Sequence, residues 1–328
     1  EHWVNDGLMV IFFLLVGLEI ERELYVGELS TFRNAILPVI AAAGGMLVPA
    51  GIHFLFNAGQ ETQAGFGIPM ATDIAFALGI LSLAGKRVPV SLKVFLTALA
   101  IIDDLGAITV IAIFYTEDFS ITYFLLSMGV FALLFVLGKF KMNYLVIYLL
   151  GGVLMWYFML RSGVHATIAG VLLAFAIPFH GENKKNMSYK LQHFLHKPVA
   201  FIILPIFALA NTAIILPNDI VAGLLTMNSL GIICGLVIGK LVGIWLASFI
   251  AVKSRLAALP SGVNWKQIMG LSLLGGIGFT MSIFITNLAF SDEDLITSSK
   301  LSILLASVVA AIAGLVVLRR ESSKRAAA

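Results

Sequence analysis

Charged residues are scarce in this sequence. Only 12% of the 328 residues are Asp, Glu, Lys or Arg, whereas about 25% of an average soluble domain is charged. Apolar residues make up 60% of the chain, and they occur in runs long enough to cross a bilayer. This composition excludes an ordinary soluble protein and predicts an all-α polytopic membrane protein. About eleven spans would use the whole chain, so we expect a single transmembrane domain over residues 1–328.

Cysteine and the usual signatures of catalysis are also nearly absent. The single cysteine, Cys234, lies in an apolar run, which excludes a disulfide within the chain and favours a role as a small hydrophobic side chain. The net charge of +3 is too small, and the basic residues are too dispersed, to indicate nucleic-acid binding. No metal-ligand spacing, nucleophile elbow or phosphate-binding loop occurs. We therefore expect neither an enzyme nor a resident cofactor.

Polar loops separate the apolar runs, and their basic residues favour one side. Most of the 21 Lys and Arg residues fall in alternate loops, so the positive-inside rule places these loops and the C-terminus in the cytoplasm. The sequence begins at Glu1 rather than Met, and we expect a preceding segment, a whole span, that it lacks. The longest interior connection, His180 to Pro198, is interpreted as a polar loop or a hinge. The predicted spans are 4–20, 35–56, 67–85, 92–115, 121–138, 144–160, 163–179, 199–216, 228–250, 267–290 and 299–318.

Two adjacent aspartates, Asp103 and Asp104, are the only charges in the apolar run from Val94 to Tyr115. A helix of this length crosses the bilayer and places both carboxylates near its midplane, where each acid costs about 2.5 to 3.5 kcal/mol. The acids must face a wet cavity or a partner, which is typical of an ion or proton pathway. Neighbouring helical side chains point about 100° apart, so one acid can meet a cation while the other meets an internal partner.

Lys240 is the candidate internal partner, because it lies near the middle of the run GLVIGKLVGIWLASF. A lone ammonium at that depth needs a carboxylate or must lose its proton. A second interpretation stays open, in which the long side chain snorkels to an interface.

Two predicted spans are interrupted. In IPMATDIAFALG, the helix breaker Pro69 precedes two good N-cap residues, Thr72 and Asp73, which predicts a half-helix that restarts inside the membrane. In LGGIGFTMSIF, three glycines precede Thr280, which predicts unwound backbone. The interruptions occupy corresponding places in two three-span units, roughly 35–115 and 228–318, as in transporters with inverted repeats. Glycines also occur where helices pack closely, so the prediction of the second interruption depends on its occurrence at a position equivalent to the first.

Several polar residues near these interruptions and in the loops have proposed roles. The carboxylate of Asp73 would offset the partial positive charge at half-helix N-termini, and the Thr72 hydroxyl is a candidate Na+ ligand. Glu19 and Glu23 are four residues apart on one helix face, so each raises the other's proton affinity, which suits a proton-responsive entrance or an ordinary solvated helix end. His193 and His196 could titrate near neutral pH or simply be surface residues.

Seven segments of the sequence together resemble the NhaA family of bacterial sodium/proton antiporters. The resemblance covers essentially the whole chain, and the Asp-Asp pair, the Thr-Asp pair and the lysine inside a span make it specific. The segments are VGLEIERE, ATDIAFALG, LAIIDDLGA, SGVHATIAG, LPIFALAN, GLVIGK and GIGFTMSIFI.

The resemblance implies a twelve-span inner-membrane protein with both termini in the cytoplasm, a possible homodimer, and a fold with inverted-topology repeats and two crossed, discontinuous spans. It implies that Asp103 and Asp104 bind Na+ or Li+ and protons in alternation, that Lys240 pairs with Asp103, and that Asp73 and Lys240 balance the charge of the half-helices. The resemblance also ties four residues to pH activation: Glu19, Glu23, His193 and His196. Glu21 departs from the basic residue expected between the two glutamates.

The function predicted from these residues is electrogenic exchange of one cytoplasmic Na+ for more than one external H+. A proton and Na+ compete for the same carboxylates, and this competition alone couples the two flows. A sodium-coupled symporter of the same architecture and a cation channel remain alternatives, although the sequence contains no repeated filter motif. An intramembrane aspartyl protease would need its two acids on separate helices, which the adjacent aspartates do not provide.

Overall fold

The computed structural model of the chain describes residues 3–85, 88–116, 118–140, 142–179, 186–212 and 220–327. These residues form helices and connecting turns, and no strand occurs among them, which confirms the predicted all-α class. A π-helical turn at Trp3–Leu8 precedes the first α-helix, and a 3-10 helix at Glu61–Met70 precedes the third. The α-helices, in chain order, are α1 (Met9–Tyr25), α2 (Phe32–Phe56), α3 (Ile74–Leu83), α4 (Val90–Phe114), α5 (Ile121–Lys139), α6 (Leu145–Arg161), α7 (Ile168–Ala176), α8 (Met187–Thr212), α9 (Ile220–Leu224), α10 (Met227–Lys253), α11 (Trp265–Leu274), α12 (Phe279–Ala289) and α13 (Glu293–Ala327).

Several helices begin at side chains that satisfy their first backbone N–H groups. Asn264 and Gln267 form a reciprocal capping box at the start of α11, in which each side chain accepts a hydrogen bond from the other residue's N–H, at 2.8 and 3.0 Å. At the start of α10, the Thr226 hydroxyl accepts a hydrogen bond from Ser229 N–H at 3.2 Å. Such caps fix where each helix starts.

Among the described residues, six helices are long and apolar enough to cross a membrane, and the number rises to eight if each of two bent helix pairs counts as one span. The six are α2, α4, α5, α8, α10 and α13. The predicted spans 4–20 and 144–160 overlap the shorter helices α1 and α6, whereas α7 covers only nine residues of the predicted span 163–179. The total of eleven spans stays a prediction.

The segment from His180 to Pro198 differs from the predicted polar loop. Its first residues, 180–185, lie outside the described residues, but Met187 to Pro198 is helical and continues into the next span as one helix, α8. The buried residues of this part are Ser188, Leu191, Gln192 and Leu195, a spacing typical of a helix with one buried face. Many of the segment's polar and basic residues lie on the other face. Because they dominate its composition, the helical spacing of the buried residues was not recognised from the sequence.

The chain divides into two compact units. Unit 1 contains Glu1–Ser30 and Ile108–Ala213, and its largest fully buried side chains include Tyr148, Phe13 and Phe207. Unit 2 contains Thr31–Ala107 and Ile214–Ala328. The buried core of unit 2 is built from aliphatic side chains of α2, α3, α4, α10, α11 and α13, among them Leu37, Leu81, Leu92, Leu96, Ile244, Ile268 and Leu318. Unit 2 also holds both bent helix pairs.

Candidate functional site

Two helical spans of unit 2 are broken in the middle. The 3-10 helix Glu61–Met70 and α3 meet at an angle of 45°, and α11 and α12 meet at 47°. Residues 71–73 and 275–278 form the two breaks, next to Pro69 and at the glycines that predicted them. Both interruptions expected from the sequence are therefore present, and the crossing of the half-helices stays a prediction.

Each break satisfies backbone groups that the other leaves without helical partners. Asp73 N–H donates to the Ile277 carbonyl at 2.7 Å. The Thr72 hydroxyl lies 2.8 Å from the Gly275 carbonyl at the end of α11, and the Ser282 hydroxyl donates to the Ile68 carbonyl at 2.7 Å. Thr72 and Ser282 are fully buried, where a polar backbone group without a partner would be costly. The two breaks therefore depend on each other.

Asp73 caps both half-helices with one carboxylate. Its Oδ1 accepts a hydrogen bond from Phe76 N–H, in the first turn of α3, at 3.1 Å. Its Oδ2 accepts from Thr280 N–H, in the first turn of α12, at 3.1 Å and also from the Thr280 hydroxyl. The carboxylate thus faces two helix N-termini, each with partial positive charge, and is 2% exposed. This placement is the one expected for Asp73, at the N-termini of the half-helices.

Asp73→Ala is expected to lower the free energy of unfolding by about 2 to 4 kcal/mol, because it removes two N-caps and leaves buried N–H groups without acceptors. Thermal unfolding of the purified protein in detergent measures the loss. Ser82→Ala, also on α3, is the matched control, since the exposed Ser82 hydroxyl bonds only to the Leu78 carbonyl of its own helix. Equal melting temperatures for the two variants would contradict the double cap.

A buried ion pair lies beside the first break. Lys240 Nζ and Asp103 Oδ2 are in direct contact, and both side chains have no exposed surface. The Thr72 hydroxyl lies 2.7 Å from the same Oδ2 and 3.0 Å from Lys240 Nζ. Because one hydroxyl has one proton, Thr72 accepts from Lys240 and donates either to Asp103 or to the Gly275 carbonyl. The pairing of Lys240 with Asp103, expected from the sequence, is present, and snorkelling of Lys240 to an interface is wrong.

The carboxylate of Asp103 has an unused oxygen. Asp103 Oδ1 is buried and accepts no hydrogen bond from the described residues. The next residue, Asp104, is also buried, at 1% exposure, and its side chain leaves α4 about 100° further round the helix. The site thus contains two acids with different surroundings, of which one is bound to an ammonium. Carboxylate and hydroxyl oxygens of this kind are suitable ligands for a hard cation.

A π-helical turn positions Lys240. The turn covers Gly235–Gly239 and ends where the regular helix resumes at Lys240. A β-carbon at Gly239 would lie 2.8 Å from the Pro49 Cα of α2, so a larger residue would push α10 away. Single π-helical turns often occur at functional sites. Sequence reasoning identified GLVIGK as a motif but missed this turn. The two glycines at its ends, Gly235 and Gly239, are the feature of the sequence that could have indicated it.

The four predicted regulatory residues lie in unit 1, the two glutamates on α1 and the two histidines on α8. Glu23 accepts hydrogen bonds from Arg22 at 3.3 Å and from Glu28 N–H at 3.0 Å, and Glu19 is half-buried. His193 and His196 are exposed on α8, and the His193 ring stacks on Tyr189 with centroids 5.7 Å apart.

Glu21, the residue that departs from the family pattern, connects α1 to α8. It is only 4% exposed, and its Oε2 lies 3.4 Å from the hydroxyl of the buried Ser188. Sequence reasoning missed this contact, because Ser188 lay in a segment interpreted as a loop.

Known proteins resemble this chain over nearly its whole length. The family model described as Na+/H+ antiporter 1 matches residues 1–318. A protein of Dechloromonas aromatica named Na(+)/H(+) antiporter NhaA is 64% identical over 314 residues, which cover 94% of this chain and 81% of the relative. Proteins of the same name are 61% identical in Cytophaga hutchinsonii, over 97% of this chain and 82% of the relative, and 51% identical in Vibrio campbellii, over 99% and 84%. The chain is therefore a multi-pass membrane protein that belongs to the Na+/H+ antiporter 1 family.

Proposed function

We propose that this chain exchanges Na+ or Li+ for H+ across the bacterial inner membrane. Three similar proteins carry the name Na(+)/H(+) antiporter NhaA. The observation that carries the proposal is the buried cluster of Asp103, Lys240 and Thr72 with Asp104 next to it, because two acids, one ammonium and one hydroxyl form a site where a cation and protons compete.

In this proposal Asp104 is the main ligand of the cation. Asp103 contributes its unused Oδ1, and the Thr72 hydroxyl is a further candidate ligand. Protonation removes the negative charge that attracts Na+, so the site holds either the cation or protons. Two acids, or one acid and the Lys240 with which it pairs, can carry more protons than the single Na+ that they exchange, which makes the exchange electrogenic and sensitive to membrane potential. Asp73 keeps both half-helix ends in place through its two caps.

The remaining parts of the proposal concern placement and regulation. We place the C-terminus in the cytoplasm, because most basic residues of the sequence fall in loops on that side. The chain is in contact with lipid, and a homodimer is its proposed assembly. Glu19 and Glu23 on α1, together with His193 and His196 on α8, are proposed to make the exchange responsive to pH.

Inside-out membrane vesicles test the exchange. Vesicles that hold a pH gradient, acid inside, should release protons when Na+ or Li+ is added outside, and the release should need no other solute. A sodium-coupled symporter would respond only when its second substrate is present. A cation channel would pass Na+ without dissipating the pH gradient at zero potential, and either of these results would overturn the proposal.

A further inference from the structure

A second buried polar cluster of unit 2 lies away from the carboxylate site. His53, near the C-terminal end of α2, is fully buried, and its Nε2 lies 3.1 Å from Asn228 Oδ1 on α10. Asn228 Nδ2 donates to the Ser299 hydroxyl of α13 at 2.8 Å. Asn228 and Ser299 are also buried, at 1% and 0% exposure. These hydrogen bonds join the three long helices α2, α10 and α13, of which α10 also carries Lys240.

The orientation of the Asn228 amide in the structure indicates which ring nitrogen of His53 carries the proton. Its NH2 group faces Ser299 and its oxygen, which can only accept, faces the imidazole. Nε2 is therefore the protonated nitrogen, and Nδ1 presents a lone pair. Nδ1 is buried and has no hydrogen-bond partner among the described residues. A buried acceptor in this state destabilises the fold, a cost that an apolar side chain would avoid.

The surroundings of the ring are shaped to an imidazole. A β-carbon at Gly65 of the 3-10 helix would lie 3.1 Å from the ring Cε1, and one at Gly231 of α10 would lie 3.0 Å from Cδ2. Asn57 Nδ2 donates to the His53 carbonyl at 2.9 Å, and the Thr62 hydroxyl donates to Asn57 Oδ1 at 2.7 Å. The two glycines therefore leave room for the ring, and Asn57 and Thr62 fix the backbone at His53.

No anionic side chain pairs with this imidazole in the described part of the chain. Glu61 precedes Thr62 on the 3-10 helix and Lys300 follows Ser299 on α13, whereas the hydrogen-bond partner of the His53 ring is the amide of Asn228. The other charged residues with described side chains on the elements that pack around the ring are Arg33 on α2, Lys240 and Lys253 on α10, and Glu293, Asp294, Arg319, Arg320 and Glu321 on α13. A second proton on the ring would create a buried cation without a counter-charge, which the packed arrangement disfavours.

We propose that His53 is a second proton-binding site, which takes up a proton at Nδ1 only when the packing of α2, α10 and α13 around it loosens. The two arrangements bind protons with different affinity, so pH shifts the equilibrium between them. The packed arrangement holds the neutral ring, whereas a loosened arrangement exposes the ring to water, where imidazole takes up a proton below about pH 6.5. Acid therefore favours the loosened arrangement, by up to about tenfold per pH unit. Because α10 carries both Asn228 and Lys240, loosening disturbs the carboxylate site and slows exchange.

The test compares three variants of the full chain in proteoliposomes, driven by a Na+ gradient with equal pH on both sides, from about pH 8.5 to about pH 5.5. His53→Gln keeps an N–H donor for Asn228 but cannot titrate, so the ratio of its exchange rate to the wild-type rate should rise several-fold as the pH falls. Asn228→Asp supplies a counter-charge to the protonated ring within the packed arrangement, so acid favours loosening less, and the acid-side decline should begin about one pH unit lower than in the wild type. Ser299→Ala removes a network hydroxyl without changing any titration, so its ratio to the wild type should not vary with pH.

Two results would overturn the inference. One is a His53→Gln ratio that stays constant across the pH range, as expected if a buried water satisfies Nδ1. The other is a Ser299→Ala ratio that varies with pH as His53→Gln does, as expected if the network matters only for packing. The inference rests on the proposed exchange for its rate measurements, so melting temperatures of the same variants are measured over the same pH range. The difference between His53→Gln and the wild type should grow towards acid even if the protein transports nothing.

Discussion

Asp104→Asn is expected to lower the initial rate of Na+-driven proton release by at least about 100-fold. Asn has nearly the same shape as Asp but lacks its charge, and loss of one charge from a buried pair of opposite charges costs about 3 to 5 kcal/mol. Each 1.4 kcal/mol is about a tenfold change in an equilibrium constant, so cation binding becomes negligible at the concentrations that saturate the wild type. The measurement is the proton release from inside-out vesicles that hold a pH gradient.

Asp103→Asn is the matched variant, because the same substitution one residue earlier affects a different partner. It leaves the ammonium of Lys240 buried beside an uncharged amide, so it should lower the melting temperature clearly, whereas Asp104→Asn should leave it within a few degrees of the wild type. Normal proton release by Asp104→Asn would show that this residue is not the cation ligand. Equal loss of stability in both variants would refute the division of roles between the two acids.

The central residues of the site could be predicted from the sequence because charge inside a membrane is rare and costly. Asp103, Asp104 and Lys240 stand out in apolar runs, and the need for a counter-charge alone predicts that the lysine pairs with an aspartate. The positions of the breaks could also be predicted from the sequence, because Pro69 and the glycines before Thr280 disrupt a helix through local backbone chemistry. Local rules and the cost of charge burial thus predicted the broken helices and the ion pair.

The missed features depend on which surfaces meet. The hydrogen bond from Ser282 to Ile68 and the contact between Glu21 and Ser188 join residues far apart in the sequence. The residues that flank each partner in the sequence do not predict which distant residue it will contact. The helical start of α8 was missed for a different reason, because its polar composition outweighed the spacing of its few buried residues.

The Thr72 hydroxyl links the charged cluster to the broken backbone. It is within 3 Å of both Asp103 Oδ2 and the Gly275 carbonyl, at 2.7 and 2.8 Å, and its one proton serves one of them at a time. In the proposed exchange, a proton or a cation that neutralises Asp103 would weaken its hydrogen bond from the Thr72 hydroxyl, which would then donate to the Gly275 carbonyl. Occupancy of the carboxylates would in this way change a hydrogen bond at the C-terminal end of α11.

Lys240→Met is expected to lower the free energy of unfolding by about 3 to 5 kcal/mol, although Met has a similar length, because Asp103 would keep a buried charge without its partner. The loss should shrink in acid, where a proton neutralises the remaining carboxylate. Thermal unfolding at several pH values measures it, and Lys240→Arg, which keeps the charge, is the control for the change of side chain. Charge movement per cycle, recorded on a supported membrane, should also fall.

The double variant Asp103→Asn with Lys240→Met separates the ion pair from simple packing. Replacing a buried ion pair by uncharged groups of similar volume is often neutral or stabilising, so the double variant should be more stable than either single variant. The difference between its stability and the sum of the single effects is the coupling energy of the pair. If the two losses simply add, Lys240 and Asp103 act independently, and the ion pair is not what holds α10 against the first break. If stability recovers while charge movement stays low, the lysine is kept for transport rather than for folding, which is the outcome we expect.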